Sequence, residues 1–301
     1  MSKSTQRLPL LKASISAACL VFSVYVSAAD ARWISTGGAI SEWVVALGGE
    51  ANLVAVDTTS RHPESLTKLP NVGYQRQLSA EGVLALRPDV LLVTDEAGPP
   101  PILRQLRQAG VRIEQFDASP NLEQLGQTVL RLGQLMGRQQ EAINQWQRYQ
   151  AAMQVQQQRV ARIQSSRKPA RVLLLLSHAG GNSMAAGKNT LANWLIEQAG
   201  GVNVSAHEGH KAISQELLTA LDPDVIIVAD RQLRDNKAIS SLLAQQPILA
   251  NLRAVKQQRV MLLETSLLVG GLGPRLPQTL AQLSSQFYPT AMQSASRGAN
   301  P

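Results

Sequence analysis

The sequence predicts an α/β protein of two Rossmann-like lobes, each with a parallel central sheet, bridged by a single long α-helix. Three observations carry that prediction. Two stretches repeat one another: QLSAEGVLALRPDVLLV (77–93) aligns with AISQELLTALDPDVIIV (212–228), and STGGAISEWVVALGGEANLV (35–54) with AAGKNTLANWLIEQAGGVNV (185–204). A spacing this long marks a duplicated lobe rather than a short solenoid repeat. Aliphatic runs such as VLLVT and VIIVA lack alternation, the pattern of strands buried on both faces of a parallel sheet. Between the repeats, residues 138–166 hold neither Gly nor Pro and are rich in Gln, Arg and Ala.

Taken in order, the chain divides at 1–28, 29–136, 137–167, 168–291 and 292–301. Residues 1–28 read as an export signal: Lys3, Arg7 and Lys12 without an acid, then the apolar ASISAACLVFSVYV, then small residues for cleavage after Ala28 or Ala31. The apolar run is shorter than the roughly 20 residues a membrane anchor needs. The expected product is soluble outside the cytoplasmic membrane. Its only cysteine, Cys19, falls in that signal, so disulfides, thiolate metal ligation and thiol catalysis are excluded from the rest.

The N-terminal lobe, 29–136, reads strand, Gly-containing turn, helix, Gly-Gly stop, strand, loop, helix, strand. The C-terminal lobe, 168–291, repeats this order. Gly after WVVALG and IEQAG fits a helix C-cap. Pro88 and Pro223 stop one helix each ahead of a strand. In the connecting segment, 137–167, Ile143, Trp146, Met153, Val160 and Ile163 fall near helical spacing, a stripe too sparse for a coiled coil. A helix over this stretch is about 40 Å long, a stiff strut between the lobes. Residues 292–301 read as a flexible tail.

The 44% hydrophobic content supports real cores. The formal charge of +8 falls to about +5 once Lys3, Arg7 and Lys12 leave the 29 basic residues set against 21 acids. No clustered Lys/Arg run with interleaved aromatics points to nucleic acid. No G-x-S-x-G, P-loop, H-E-x-x-H, or G-x-G-x-x-G after a strand points to an enzyme. A zinc or manganese carrier would bring three or more histidines and carboxylates together, and the chain has four histidines in all.

The segment LPNVGYQRQLSAEG (69–82) places Tyr74 and Arg76 on a polar, turn-rich strand-to-helix connection, where α/β lobes line their ligand clefts. The plain reading of Tyr74 is a half-buried loop tyrosine. The functional reading is a phenol whose ionised form the nearby Arg76 stabilises. His178 follows the first strand of the second lobe in LLLLSHAGG, and His210 precedes Glu216 by six residues much as Tyr74 precedes Glu81 by seven. Glu81 and Glu216 open matched helices, where an acid suits the helix dipole. His62 and His207 read as solvated loop residues.

The layout, with GGAISEWVVALGGEANLVAVDTTSRHP, LPNVGYQRQLSAEGVLALRPDVLL, LLLSHAGGNSMAAGKNT and GGLGPRLP, resembles the substrate-binding proteins of ABC importers for vitamin B12, ferric siderophores and haem. Within that group it most resembles the periplasmic haem-binding proteins. G-Y-x-R-x-L-x-x-E-G is the most specific stretch. The resemblance implies that the chain works as a monomer in the periplasm. It would capture ferric haem between its lobes and pass it to an inner-membrane permease and its ATPase. It further implies Tyr74 as axial iron ligand, a role open to tyrosinate, with Arg76 in support. Either His178 or His210 is then a second ligand, for one haem or for a second one stacked on it. Met184 packs on the porphyrin face or fills the core. Lys188, Arg61 and Arg275 pair with propionates, and Glu81 and Glu216 dock onto the permease. A ferric siderophore or B12 carrier is the alternative, and a haem-dependent enzyme the second.

Overall fold

The computed structural model describes residues 31–177, 183–230, 236–245 and 247–289; the expected signal, the tail and His178 lie outside them. The first lobe runs β1 (Trp33–Ser35), α1 (Gly38–Ala46), β2 (Leu53–Val56), α2 (Ala80–Leu84), β3 (Val90–Thr94), α3 (Pro100–Gln108) and β4 (Arg112–Phe116). Its strands form a parallel sheet in the order β2-β1-β3-β4. Every residue of β3 is buried, as its unbroken aliphatic run requires of a strand covered on both faces.

Helix α4 (Leu122–Leu135) leads into α5 (Gln139–Gln164), whose 26 residues give it a length of about 40 Å. The buried face of α5 differs from the expected stripe. Ala142, Tyr149, Met153 and Gln156 are buried, while Ile143 is exposed. Polar residues hold this face because each finds a partner for its apolar or polar part. The Tyr149 ring lies 5.6 Å from both Trp43 and Trp146, and Gln156 Nε2 donates to the Leu280 carbonyl at 3.3 Å.

The second lobe runs β5 (Arg171–Ser177), β6 (Met184–Ala186), α6 (Leu191–Gln198), β7 (Val202–Asn203), β8 (His210–Ala212), α7 (Gln215–Leu221), β9 (Val225–Asp230), α8 (Asn236–Gln245), α9 (Arg253–Lys256), β10 (Val260–Leu262) and α10 (Leu276–Phe287). The sheet order is β10-β9-β5-β6-β8, with β7 also on β5. Strands β10, β9, β5 and β7 are parallel, as expected for the centre. Strand β6 runs antiparallel to β5, and β8 antiparallel to β6, an addition the repeat did not foretell. The sequence alignment sets the first lobe's β1 against β6. Pairing sets it against β5, since β5 is flanked by β7 and β9 as β1 is by β2 and β3.

The lobes share their punctuation. Gly48 and Gly200, with φ of 79° and 89°, end α1 and α6 in the left-handed region that glycine alone enters freely. The next glycines, Gly49 and Gly201, donate back to Val44 and Ile196 carbonyls. Ser79 Oγ accepts from Gly82 N, and Ser214 Oγ from Leu217 N, capping α2 and α7.

Helix α5 is not the sole tie between the lobes. Residues 264–275, after β10, cross onto α1. Trp43 Nε1 donates to the Leu272 carbonyl at 2.8 Å. Gly270, at φ 83°, passes so close to Gly37 that a Cβ on it would lie 3.0 Å from Gly37 backbone. Gly271, at φ 90°, passes almost as close to Ala118 backbone, so each glycine of the pair in GGLGPRLP has its own close approach.

Candidate functional site in the inter-lobe cleft

The cleft wall of the first lobe is built from the C-terminal ends of β1 and β2. Asp57, buried just after β2, accepts from Gly37 N at 3.1 Å, Thr59 Oγ1 at 2.8 Å and Ser60 Oγ at 2.7 Å. Ser60 Oγ lies 2.6 Å from Ser41 Oγ, which donates to Ser35 Oγ. This buried network fixes residues 57–60 on the sheet, and Thr58 N then donates to the Gly73 carbonyl at 2.9 Å. Tyr74 follows directly and precedes a single 3-10 turn, 75–77.

Tyr74 is half-buried and lines a cavity of about 150 Å³ with Thr58, Thr59 and Arg61 of its own lobe and Thr265, Ser266 and Val269 of the crossing segment. Two other tyrosines lie among the described residues, and both are buried in packing. Tyr149 lies on the buried face of α5, and Tyr288 donates to the Gly200 carbonyl at 2.6 Å. Tyr74 is therefore the phenol that a ligand between the lobes can reach.

Arg61 is exposed and also borders a larger cavity of about 520 Å³, where His62 and Glu64 face Asp230, Leu262 and Glu264 of the second lobe. His62, expected as a solvated loop residue, is a half-buried wall of this cleft. Two further grooves, of about 510 and 520 Å³, flank α5 and share Tyr149, but imidazole and acid from both lobes converge at the cleft.

Arg76 Nη2 donates to Glu96 Oε1 at 2.8 Å, so its charge is partnered in this structure by a residue the sequence reading did not single out. His210 is exposed on β8, facing the same pair across the cleft. Burial, then the charge of Arg76 and of His207, lowers its pKa, and Glu96 opposes them. The shift favours the neutral imidazole, the form that ligates metal. Met184 is half-buried on β6, paired with Ala212 of β8. Lys188 is exposed in the turn after β6, donating its backbone N–H to the His207 carbonyl. His207 is not a free loop residue: its Nε2 lies 3.0 Å from the Ala185 carbonyl.

Arg275, expected to pair with a propionate, is held by carboxylates of the protein itself. Its Nε and Nη2 donate to Glu42 at 2.8 and 2.5 Å, its Nη1 to Glu264 at 2.7 Å, and its Nη2 also to Ser266 at 2.9 Å. Four of its five N–H donors are thus engaged within the fold, which leaves a single Nη1 N–H for a propionate. Glu42 belongs to α1, so this is a latch between the lobes. Burial pushes the Glu42 carboxyl up against the pull of Arg275, whereas for Glu264 the Arg275 hydrogen bond and charge outweigh burial and hold it low.

Glu81 and Glu216 are both exposed in the first turns of α2 and α7. The chain resembles a periplasmic heme-binding protein of Pseudomonas aeruginosa, at 52% identity and TM-score 0.82, over 86% of this chain and 92% of that one. It is also similar to one from Roseiflexus sp. RS-1, at 34% identity and TM-score 0.78, over 87% and 99%. A cobalamin-binding protein of Halobacterium salinarum is 26% identical over 73% of this chain, which spans only 58% of that relative's length. Residues 34–267 match the family described as periplasmic binding protein. The chain belongs to the periplasmic binding protein family.

Proposed function

We propose that the protein captures ferric haem in the inter-lobe cleft and delivers it to an inner-membrane ABC permease and its ATPase, working in the periplasm after cleavage of its leader. The observation that carries this reading is Tyr74, a half-buried phenol opening onto a cavity walled by both lobes. The 52% identity to a periplasmic heme-binding protein supports it. Ionised, the Tyr74 oxygen is a hard anionic donor for ferric iron, and Arg76 adds a stabilising charge. His210, in its neutral form, or His178 supplies a second nitrogen. Arg61, exposed at the cleft, and Lys188, exposed after β6, pair with propionates, and Met184 offers a polarisable face to the ring. Glu81 and Glu216 meet cations of the permease.

Titration of the mature protein with ferric haem is expected to shift the Soret band at one defined stoichiometry. Tyr74→Ala should cut affinity by more than about a hundredfold, judged against the 10–100-fold that even a residue behind a metal ligand is worth. His178→Ala and His210→Ala separate the two candidates, because only the true ligand changes the spin-state bands. No Soret shift with wild-type protein ends the haem reading. The cobalamin-binding relative favours one other cargo, and a parallel titration with cobalamin tests it.

A further inference from the structure

The end of β3 and the turn after it hold the Tyr74 loop at Gln75, Arg76 and Leu78. Thr94 Oγ1 donates to Gln75 Oε1 at 3.4 Å. Glu96 takes both residues that follow the tyrosine: Oε2 accepts from Gln75 Nε2 at 3.2 Å, and Oε1 from Arg76 Nη2 at 2.8 Å. Gly98 N donates to the Gln75 carbonyl, and Leu78 N to the Gly98 carbonyl, each at 2.9 Å. Gln75 is fully buried, so its bond to Glu96 is an anchor inside the fold, whereas the Arg76 side chain is 52% exposed. One carboxylate thus bonds a buried neighbour of the phenol with one oxygen and a solvent-exposed cation with the other.

We propose that Glu96 is a positioning residue for Tyr74, which anchors the loop through Gln75 and holds the Arg76 charge until the ligated phenol oxygen competes for it. The inference rests on the reading of Tyr74 as the iron ligand. In the free protein the carboxylate balances Arg76 and keeps the loop in place. When the Tyr74 oxygen binds iron, it and the Glu96 carboxylate compete for one guanidinium. Glu96 then sets how much of the Arg76 charge reaches the bound oxygen, and through it the strength of the iron–oxygen bond.

The two functions separate by substitution. Glu96→Gln keeps an oxygen for Gln75 Nε2 but removes the charge that detains Arg76. Glu96→Ala removes both. The test uses full-length mature protein loaded with ferric haem, reading the phenolate-to-iron charge-transfer band and the rate of haem release to an excess of apomyoglobin. Glu96→Gln is expected to shift the band and slow release by about threefold, the worth of a partly exposed ion pair. Glu96→Ala is expected to speed release by about tenfold or more, as loss of a hydrogen bond to a charged group does. In an Arg76→Gln background, Glu96→Gln should change neither reading.

Three results overturn the proposal: a Glu96→Gln band and rate equal to wild type, equal losses in the Gln and Ala variants, or a Glu96→Gln effect that persists without Arg76. Tyr74→Phe is the control for the underlying reading. If it binds haem with an unchanged spectrum, the ligand assignment fails. If it loses haem while Glu96→Gln is silent, the assignment stands and only the role of Glu96 falls.

Discussion

Arg32, just before β1, donates Nη2 to the Leu86 carbonyl at the end of α2, and its backbone N–H to Asp89 ahead of β3. Arg171, at the start of β5, donates Nη2 to the Leu221 carbonyl at the end of α7, and its N–H to Asp224 ahead of β9. These are the same device in two lobes, and they explain the repeated P-D-V: the aspartate ties the central strand to its neighbour, and the arginine closes the helix between them. At the opposite ends of those strands the lobes part. The first carries the compact Tyr74 loop, pinned by Asp57 and Glu96. The second inserts β6 and its antiparallel partner β8, which brings His210 opposite Arg76 and Glu96. Duplication kept the ends that fold the lobe and released the ends that face cargo.

The latch is the sharpest break in symmetry, because in it the second lobe reaches over α1. Arg275→Met would leave Glu42, 3% exposed, buried without its partner. Loss of one member of a buried pair costs about 3–5 kcal/mol, so a large drop in denaturant midpoint is expected. Glu42→Gln added to Arg275→Met should recover part of it. A fully additive double variant would mean that the two groups do not act as a pair. The matched devices should respond more mildly. Asp89→Ala and Asp224→Ala each lose a bond to a backbone N–H, about 1–1.5 kcal/mol. Asp224 also faces Arg253 at 3.3 Å, so the second-lobe variant should lose slightly more. A silent Asp89→Ala would break the equivalence of the lobes.

Local signals carried the parts that were legible in the sequence. The Gly-Gly stops, the unalternating strands and the Gly- and Pro-free stretch that became α5 each follow from backbone preference or burial within one element. Registry between distant segments was not legible. The repeat hid the hairpin after β5, because the alignable helix and glycines begin beyond it. Tyr149 and Gln156 lie outside the apolar stripe read along α5, and only Trp43 and Leu280, distant in the chain, make them part of its buried face. Arg275 looked like a free cation because its partner Glu42 lies 233 residues away. Tyr74 stood out from its local context, whereas Glu96, twenty residues beyond Arg76, carried no local mark.

The smallest effects fall at the helix starts, where the comparison can be drawn most finely. Ser79 and Ser214 cap α2 and α7 with bonds of 3.4 and 3.2 Å. Their replacement by Ala should each cost about 1 kcal/mol, a fall of about 4 °C in melting temperature for lobes of this size. Glu81 and Glu216 stand two residues further on, exposed, and touch the fold only through the helix dipole. Glu81→Gln and Glu216→Gln should therefore cost about 0.3–1 kcal/mol and leave haem binding as it was. The two kinds of variant cross over in a transport assay with the reconstituted permease. The serine variants, still folded at the assay temperature, should stimulate ATP hydrolysis normally. The glutamine variants should lose stimulation, and the double variant most of it. Equal losses for Glu81 and Glu216 fit a permease that meets both lobes alike. A loss confined to one of them would mean that the duplication preserved the helix starts for folding alone.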